Sequence, residues 1–474
     1  MNSGKMIRPL YRSIALAQLR ITSRAICQSM MIRHSSSTST GHLPGYPSSP
    51  FVSKLEKAVF DSVNANVVSE PNAEDQQTKK GIPTFRVLDG KGNLLLGVDE
   101  ASLHLSKEEA RKIMSNMLLL PALDVILYNA QRQGRISFMM TSHGEEAAVI
   151  GSASALDNKD EIFAQYREMG VLLYRGFTLD KVMNQVFGTA DDLGQARQMP
   201  IHFGSTDHHF HTISSPLATQ IPQAAGAAYA LKRMKDRKDN IVVCYFGEGA
   251  ASEGDAHAGM NMAATLKCPV VFVVRNNGFA ISTPSTEQYA GDGIASRGPG
   301  YGISTIRVDG NDVLAVRAAM QFAKQHAIQN SSPFLIECMT YRVGHHSTSD
   351  DSSAYRNRKD VEDWKRLDNP LARFSAFLQE RGWWTEEEGE TLRKQYRKDI
   401  VKQLDIAEHK PRPSISSIFE DTYKEVPPHL QEQRAELARL ISMYGQSDAW
   451  KKELPKYRHQ GKDMEQYLEK DKDV

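Results

Sequence analysis

The residues best suited to chemistry lie in Phe246-Gly247-Glu248-Gly249-Ala250-Ala251-Ser252-Glu253-Gly254, where a carboxylate sits between glycines directly behind an apolar run. Glycine on either side lets the backbone come close to a ligand, and a helix opening there aims its first amides at an anion. Such a loop suits a phosphate. Twenty-six residues separate Gly249 from Asn276 in Arg275-Asn276-Asn277-Gly278-Phe279, which again follows an apolar run. Mg²⁺ takes an octahedron of oxygens and is commonly held by one or two carboxylates together with substrate phosphates. Glu248, the side-chain oxygen of Asn277 and a backbone carbonyl near Phe279 could fill three positions, and a diphosphate the rest. Taken singly, glycines between a strand and a helix often serve only close packing, and Asn-Asn-Gly is an ordinary turn. Their combination at this spacing points to a cofactor site. By contrast, Gly291-Asp292-Gly293 has neither an apolar strand before it nor paired asparagines after it, and reads as a loop.

Two such segments meet only if a sheet delivers them to one edge. Continuous apolar strands are expected over 241–246 and 270–274, with a helix over 252–266 between them. Further strands are expected over 83–88, 94–98, 170–174, 303–308 and 334–339. Helices are expected over 144–154, 178–187, 222–235 and 313–328. Another should start at Ser106, with Glu109 three residues on, and run to about residue 132. Strands without polar alternation, separated by helices, predict an α/β fold with a parallel sheet flanked by helices. Ligands on such sheets bind at the carboxyl ends of the strands. Beyond residue 360 the pattern is helical and charged, with Trp364, Trp383 and Trp384 as packing anchors, a break over 410–413, a last helix over 427–444 and a polar tail. No chemistry is visible there. The expected domains are a leader (1–40), an N-terminal extended arm with short strands (41–105), the cofactor-binding α/β domain (106–360) and a C-terminal helical appendage (361–474).

The chain has 474 residues, 40% hydrophobic and 24% charged, the composition of a globular protein of two or three domains. Lys and Arg number 58 against 57 Asp and Glu, which gives no support for a nucleic-acid partner. No apolar run approaches the ~20 residues of a membrane helix, so no membrane association is expected. Four cysteines are too few for a disulfide scaffold and fit a reducing interior. Residues 1–55 contain no Asp or Glu but carry Lys5, Arg8, Arg12, Arg20, Arg24, Arg33 and Lys54, followed within the first 40 by the run His34 to Thr40. An Arg-rich, Ser-rich, acid-free start is the pattern of a mitochondrial transit peptide. Removing residues 1–40 takes away six basic residues and leaves 52 against 57 acidic ones, about −5. The imported chain would be mildly acidic.

The strand, Gly-Glu-Gly loop, helix, strand and Asn-Asn turn resemble the thiamine diphosphate motif, Gly-Asp-Gly followed after about 26 residues by Asn-Asn, with Glu248 for the usual Asp. The chain as a whole is similar to alpha subunits of thiamine-dependent 2-oxoacid dehydrogenases, the decarboxylating components of mitochondrial multienzyme complexes, and most of all to the branched-chain 2-oxoacid type. The segments 247–255 and 345–356 carry that distinction from the pyruvate and acetoin enzymes, which are the alternative. The resemblance implies Mg²⁺ on Glu248, Asn277 and the carbonyl of Phe279. It implies thiamine diphosphate held by the Gly249 and Ala250 amides with Tyr166, Arg167, Arg275 and His346, and Ser215 beside it. It implies K⁺ on Ser214, Pro216, Thr219 and Gln220, and regulatory phosphorylation at Ser347. A phosphate there would add nearly two negative charges beside His346. A second serine phosphorylated in relatives is Asn357 here.

The implied reaction is oxidative decarboxylation of branched-chain 2-oxoacids in the mitochondrial matrix, with the acyl unit passed to lipoyl groups on an acyltransferase core. A regulatory kinase and phosphatase are implied partners. The carboxylic acid that activates thiamine is expected on a beta subunit. This sequence shows one α/β domain where a single-chain enzyme would need two, so an alpha2beta2 heterotetramer is expected. A nucleotide-binding protein without catalysis is disfavoured, because no Gly-x-Gly-x-x-Gly turn follows a strand.

Overall fold

A computed structural model describes residues 51–52 and 81–468. The expected leader, most of the arm and Cys27 lie outside them. The strands are β1 (Phe51–Val52), β2 (Thr84–Phe85), β3 (Glu161–Phe163), β4 (Phe210–His211), β5 (Val242–Gly247), β6 (Val270–Asn276), β7 (Phe279–Ala280), β8 (Thr283–Pro284), β9 (Ser304–Asp309) and β10 (Phe334–Met339). Eight of them form one sheet in the order β1-β2-β9-β10-β6-β5-β3-β4, and every pairing in it is parallel. β7 and β8 make a separate antiparallel hairpin.

Alternation along the central strands explains why both faces are covered. Val243, Tyr245, Val271, Val273 and Ile336 point into one apolar cluster, with the helices Lys107–Arg132, Glu146–Ser154 and Val313–Asn330. Val242, Cys244, Phe246, Val270, Phe272, Val274 and Leu335 point into the other, with Gln220–Leu231 and Gly254–Thr265. Successive side chains leave a strand on opposite faces, so a strand that is apolar at every position needs a helical layer on each side. Cys244, Cys268 and Cys338 are buried free thiols in this core.

The helix Lys107–Arg132 starts where expected, with the Ser106 hydroxyl accepting from the Glu109 amide. Its length and hydropathy suffice to cross a membrane, which corrects the expectation that no stretch comes near that limit. Its apolar residues are spent in the core instead: Leu118, Leu120, Leu123 and Leu127 are all buried. Two expected strands are absent. Residues 94–98 contribute a single antiparallel bridge, Leu88 to Leu94. Met169–Tyr174 is a helix, buried on every side, and Glu161–Phe163 takes the strand's place. A short, wholly apolar run has no periodicity to separate helix from strand.

The C-terminal part is helical, and Trp384 is buried with Arg111 against its ring. Trp364 stacks on Tyr341 with ring centroids 5.1 Å apart. The tail beyond Tyr444 forms a further short helix, Asp448–Glu453, where only polar tail was expected.

Candidate functional site

Four adjacent strands, β10, β6, β5 and β3, bring their carboxyl ends together, and the expected cofactor residues follow those ends. Tyr166 and Arg167 come after β3, Glu248 to Ala250 after β5, Asn277 and Phe279 after β6, and His346 after β10. A parallel sheet places all its carboxyl ends on one edge, so four loops converge without any loop reaching far.

Glu248 is 2% exposed. One carboxylate oxygen accepts from the Asn277 amide at 3.3 Å, and the other is buried without a hydrogen-bond partner. Burial first, and Glu145 beside it, push its carboxyl up to about 7. An unpartnered buried carboxylate oxygen is costly unless a cation or proton meets it. The Asn277 side-chain oxygen accepts from Phe279 N at 3.2 Å, and its nitrogen donates to Glu145 at 2.9 Å. This is an oxygen-only donor set of the kind Mg²⁺ takes. Gly249 and Ala250 lead into a 3-10 turn whose first internal bond is Ser252 N to Gly249 O, so their own amides stand ahead of it. A side chain on Gly249 would come within 2.8 Å of the Ala280 Cβ; here the glycine serves close packing against β7.

Arg275 is 2% exposed and held by two fully buried carboxylates, Glu145 at 2.5 Å and Glu168. Arg167 donates to the carbonyls of Thr141 and His346, the latter at 2.7 Å. Tyr166 OH lies 3.4 Å from His346 Nε2. Burial, then Arg167 and Arg342, push the His346 imidazole down to about 3. Arg167 and Arg342 thus make the surroundings of His346 electropositive, whereas the charge of Arg275 is already met by Glu145 and Glu168.

The expected potassium loop precedes the helix Gln220–Leu231. Ala218 takes a left-handed φ of 66°, Thr219 Oγ1 donates to Pro216 O at 3.2 Å, and Gln220 Nε2 donates to Tyr245 O at 3.0 Å, which leaves the Gln220 oxygen unspent. Ser215 hydrogen-bonds His202 at 2.7 Å; Ser214 is beside it in the same loop.

Ser347 is nearly buried in the loop after β10. Arg356 fastens that loop, donating to the carbonyls of Arg342 and Gly344 and to Ser352 Oγ. Its guanidinium also lies against the rings of Phe279, Tyr341 and Tyr355. Asn357 caps the helix Arg358–Leu367 by accepting from Lys359 N. The loop Gly291-Asp292-Gly293 is structural: Asp292 accepts from Ile82 N and pairs with Arg307.

Sequence reasoning missed Glu145, Glu168, Thr141 and Arg356. Glu145 and Glu146 look like the acidic first turn of a surface helix. The signal against that reading is the helix they open, Glu146–Ser154, which has no exposed residue at all.

The family model described as "Dehydrogenase E1 component" matches residues 114–416. The chain is 49% identical over 437 residues to the human 2-oxoisovalerate dehydrogenase subunit alpha, mitochondrial, covering 92% of this chain and 97% of that protein. It is 52% identical to the Macaca fascicularis protein of the same name over 84% of this chain and 88% of that one, and 50% identical to the one from Dictyostelium discoideum over 78% and 83%. A family match across most of the chain, on a parallel sheet whose carboxyl edge gathers the expected residues, places this protein in the dehydrogenase E1 component family.

Proposed function

We propose that the chain is the alpha subunit of a mitochondrial branched-chain 2-oxoacid dehydrogenase, 3-methyl-2-oxobutanoate dehydrogenase (2-methylpropanoyl-transferring), an oxidoreductase completed by a beta subunit. The observation that carries this is Glu248, buried with one oxygen unpartnered, next to Asn277 and near the Arg275 guanidinium. Glu248, Asn277 and the Phe279 carbonyl would hold Mg²⁺. The Gly249 and Ala250 amides, Arg275, Arg167, Tyr166 and His346 would hold the diphosphate, with Ser215 beside it. Ser214, Pro216, Thr219 and Gln220 would hold K⁺ and stiffen that loop.

Thiamine diphosphate, when bound, would supply the nucleophile and electron sink that decarboxylation of a 2-oxoacid requires. This chain's residues would bind and orient: Arg167 and Arg275 would donate to the diphosphate, and Glu248 would neutralise part of the metal charge. The loop 342–356, which follows β10 and is fastened by Arg356, would border the cofactor. Phosphorylation of Ser347 would bring a near-dianion into that loop next to His346 and oppose diphosphate binding. Among the described residues there is a single α/β sheet of this kind, so the second half of the cofactor site, with its activating carboxylic acid, belongs to the beta subunit. The lipoyl-bearing acyltransferase core, a kinase and a phosphatase are the further partners of this reading, and the alpha2beta2 heterotetramer its assembly.

The test is reconstitution with the beta subunit. Thiamine diphosphate binding should require Mg²⁺ and be lost in Glu248→Ala, and 4-methyl-2-oxopentanoate should turn over faster than pyruvate. Decarboxylation by the alpha chain alone would refute the shared site. Unchanged cofactor binding in Glu248→Ala would refute the metal assignment.

A further inference from the structure

The turn after β6 is held from behind by carboxylates that no sequence motif marks. Asn276 donates to Glu337 at 2.8 Å and Asn277 donates to Glu145 at 2.9 Å. Glu145 is the more consequential of the two, because its other oxygen pairs with Arg275 at 2.5 Å. One carboxylate, 0% exposed, therefore touches an expected cation ligand and an expected phosphate ligand. We infer that Glu145 is a positioning residue that sets the Asn277 amide with its oxygen toward the cation while aligning Arg275 beside it. This rests on the reading of the edge as a thiamine diphosphate–Mg²⁺ site.

The chemistry is that of a primary amide, which has one acceptor end and one donor end. With its nitrogen committed to Glu145, the Asn277 oxygen faces the Phe279 amide and keeps a lone pair for a metal. Without that acceptor the amide is free to rotate and present N–H groups to a cation. Glu168 provides an internal comparison. It pairs with the same guanidinium and is equally buried, but it meets Arg275 rather than a cation ligand.

The experiment uses the alpha chain assembled with its beta subunit and follows thiamine diphosphate binding by calorimetry across a Mg²⁺ series. In Glu145→Gln a single acceptor oxygen cannot serve both Arg275 and Asn277, so the half-saturating Mg²⁺ concentration should rise about tenfold, the usual scale for groups standing behind a metal ligand. In Glu168→Gln the diphosphate affinity should fall while half-saturating Mg²⁺ stays within about twofold. In an Asn277→Ala background, Glu145→Gln should add nothing to the Mg²⁺ requirement, since coupled residues are not additive. Equal Mg²⁺ shifts in Glu145→Gln and Glu168→Gln, or an undiminished effect in the Asn277→Ala background, would reduce Glu145 to a counter-ion and overturn the inference. Should Glu145→Gln not assemble, Glu145→Asp carries the test: it keeps the charge but withdraws it by one methylene. A rise in half-saturating Mg²⁺ supports the inference there, and a wild-type requirement overturns it. If the wild-type assembly binds thiamine diphosphate without regard to Mg²⁺, the reading of the site fails, not the role of Glu145.

Discussion

Replacing Gly144 by alanine should loosen the rail along which the loop after β10 is laid. Gly144 has φ 101°, a conformation that L residues avoid. An added Cβ would meet the Tyr341 carbonyl oxygen and lie 2.9 Å from Val343 Cγ2 and 3.0 Å from Val343 N. Backbone is not a yielding neighbour. The same stretch is bonded across: Val343 N donates to His143 O, Thr340 Oγ1 to Gly144 O and Thr348 N to Met139 O. A positive φ costs an L residue about 1–2 kcal/mol. Overpacking in a closed site adds about 1–3 kcal/mol, for about 2–5 kcal/mol in all. Gly134 separates the two contributions, because it has φ 74° and nothing within 4 Å of an added Cβ. Gly134→Ala should therefore lose only the conformational part, about 1–2 kcal/mol. The assay is thermal unfolding of both variants assembled with the beta subunit, alongside proteolysis within residues 342–356 and thiamine diphosphate affinity. Gly144→Ala should melt well below Gly134→Ala, expose the loop to protease and weaken cofactor binding. Equal melting temperatures, with the loop protected in both, would refute the reasoning that these two segments pack as a unit.

Two other outcomes are expected. Glu161 accepts from His209 at 3.0 Å, His211 at 3.1 Å and Arg237 at 3.0 Å, and these partners outweigh burial to bring its carboxyl down to about 2. A depressed carboxyl stabilises the fold fully above the unfolded value, near 4.5, and loses that contribution as pH falls toward 2; screened at this partly open site, the effect is about 1–2 kcal/mol. Glu161→Gln should thus lower stability at pH 7 and flatten the acid limb of melting temperature against pH; a parallel shift at all pH values would contradict this. Arg356→Lys keeps the charge but cannot reach the Arg342, Gly344 and Ser352 acceptors together. Losing two buried hydrogen bonds there costs about 1–3 kcal/mol locally, and amide exchange across 342–356 should quicken while the sheet stays protected.

The central strands were legible because their physics is one-dimensional. Val242–Gly247, Val270–Asn276 and Phe334–Met339 are apolar at most positions, Ser304–Asp309 keeps apolar Ile306 and Val308 among polar residues, and the ends of all four fall within two residues of expectation. Glu248 and Asn277 were legible for the same reason, since the sheet fixes where its loops emerge. Met169–Tyr174 was not, because a six-residue apolar run fits a helix or a strand and only the neighbouring Glu161–Phe163 decides between them. Glu145 and Glu168 were invisible for a different reason. Carboxylates are normally solvated, and what buries these two is Arg275, more than a hundred residues away. Arg167 was legible only by likeness to a family. Its partners are the carbonyls of Thr141 and His346, and backbone acceptors leave no trace in residue type.

The turn of two asparagines has a consequence for how the protein is made. Asn277 is tied to a residue 132 positions earlier and Asn276 to one 61 positions later. A chain imported N-terminus first that has just released this turn into the matrix already holds Glu145 but not yet Glu337. Half of the turn can set during import, and the other half must wait until β10 has entered the matrix and joined β6. The cofactor edge is thus finished only when strands added late in the sequence take up the centre of the sheet, and competence to bind a ligand there reports that the domain has completed its fold.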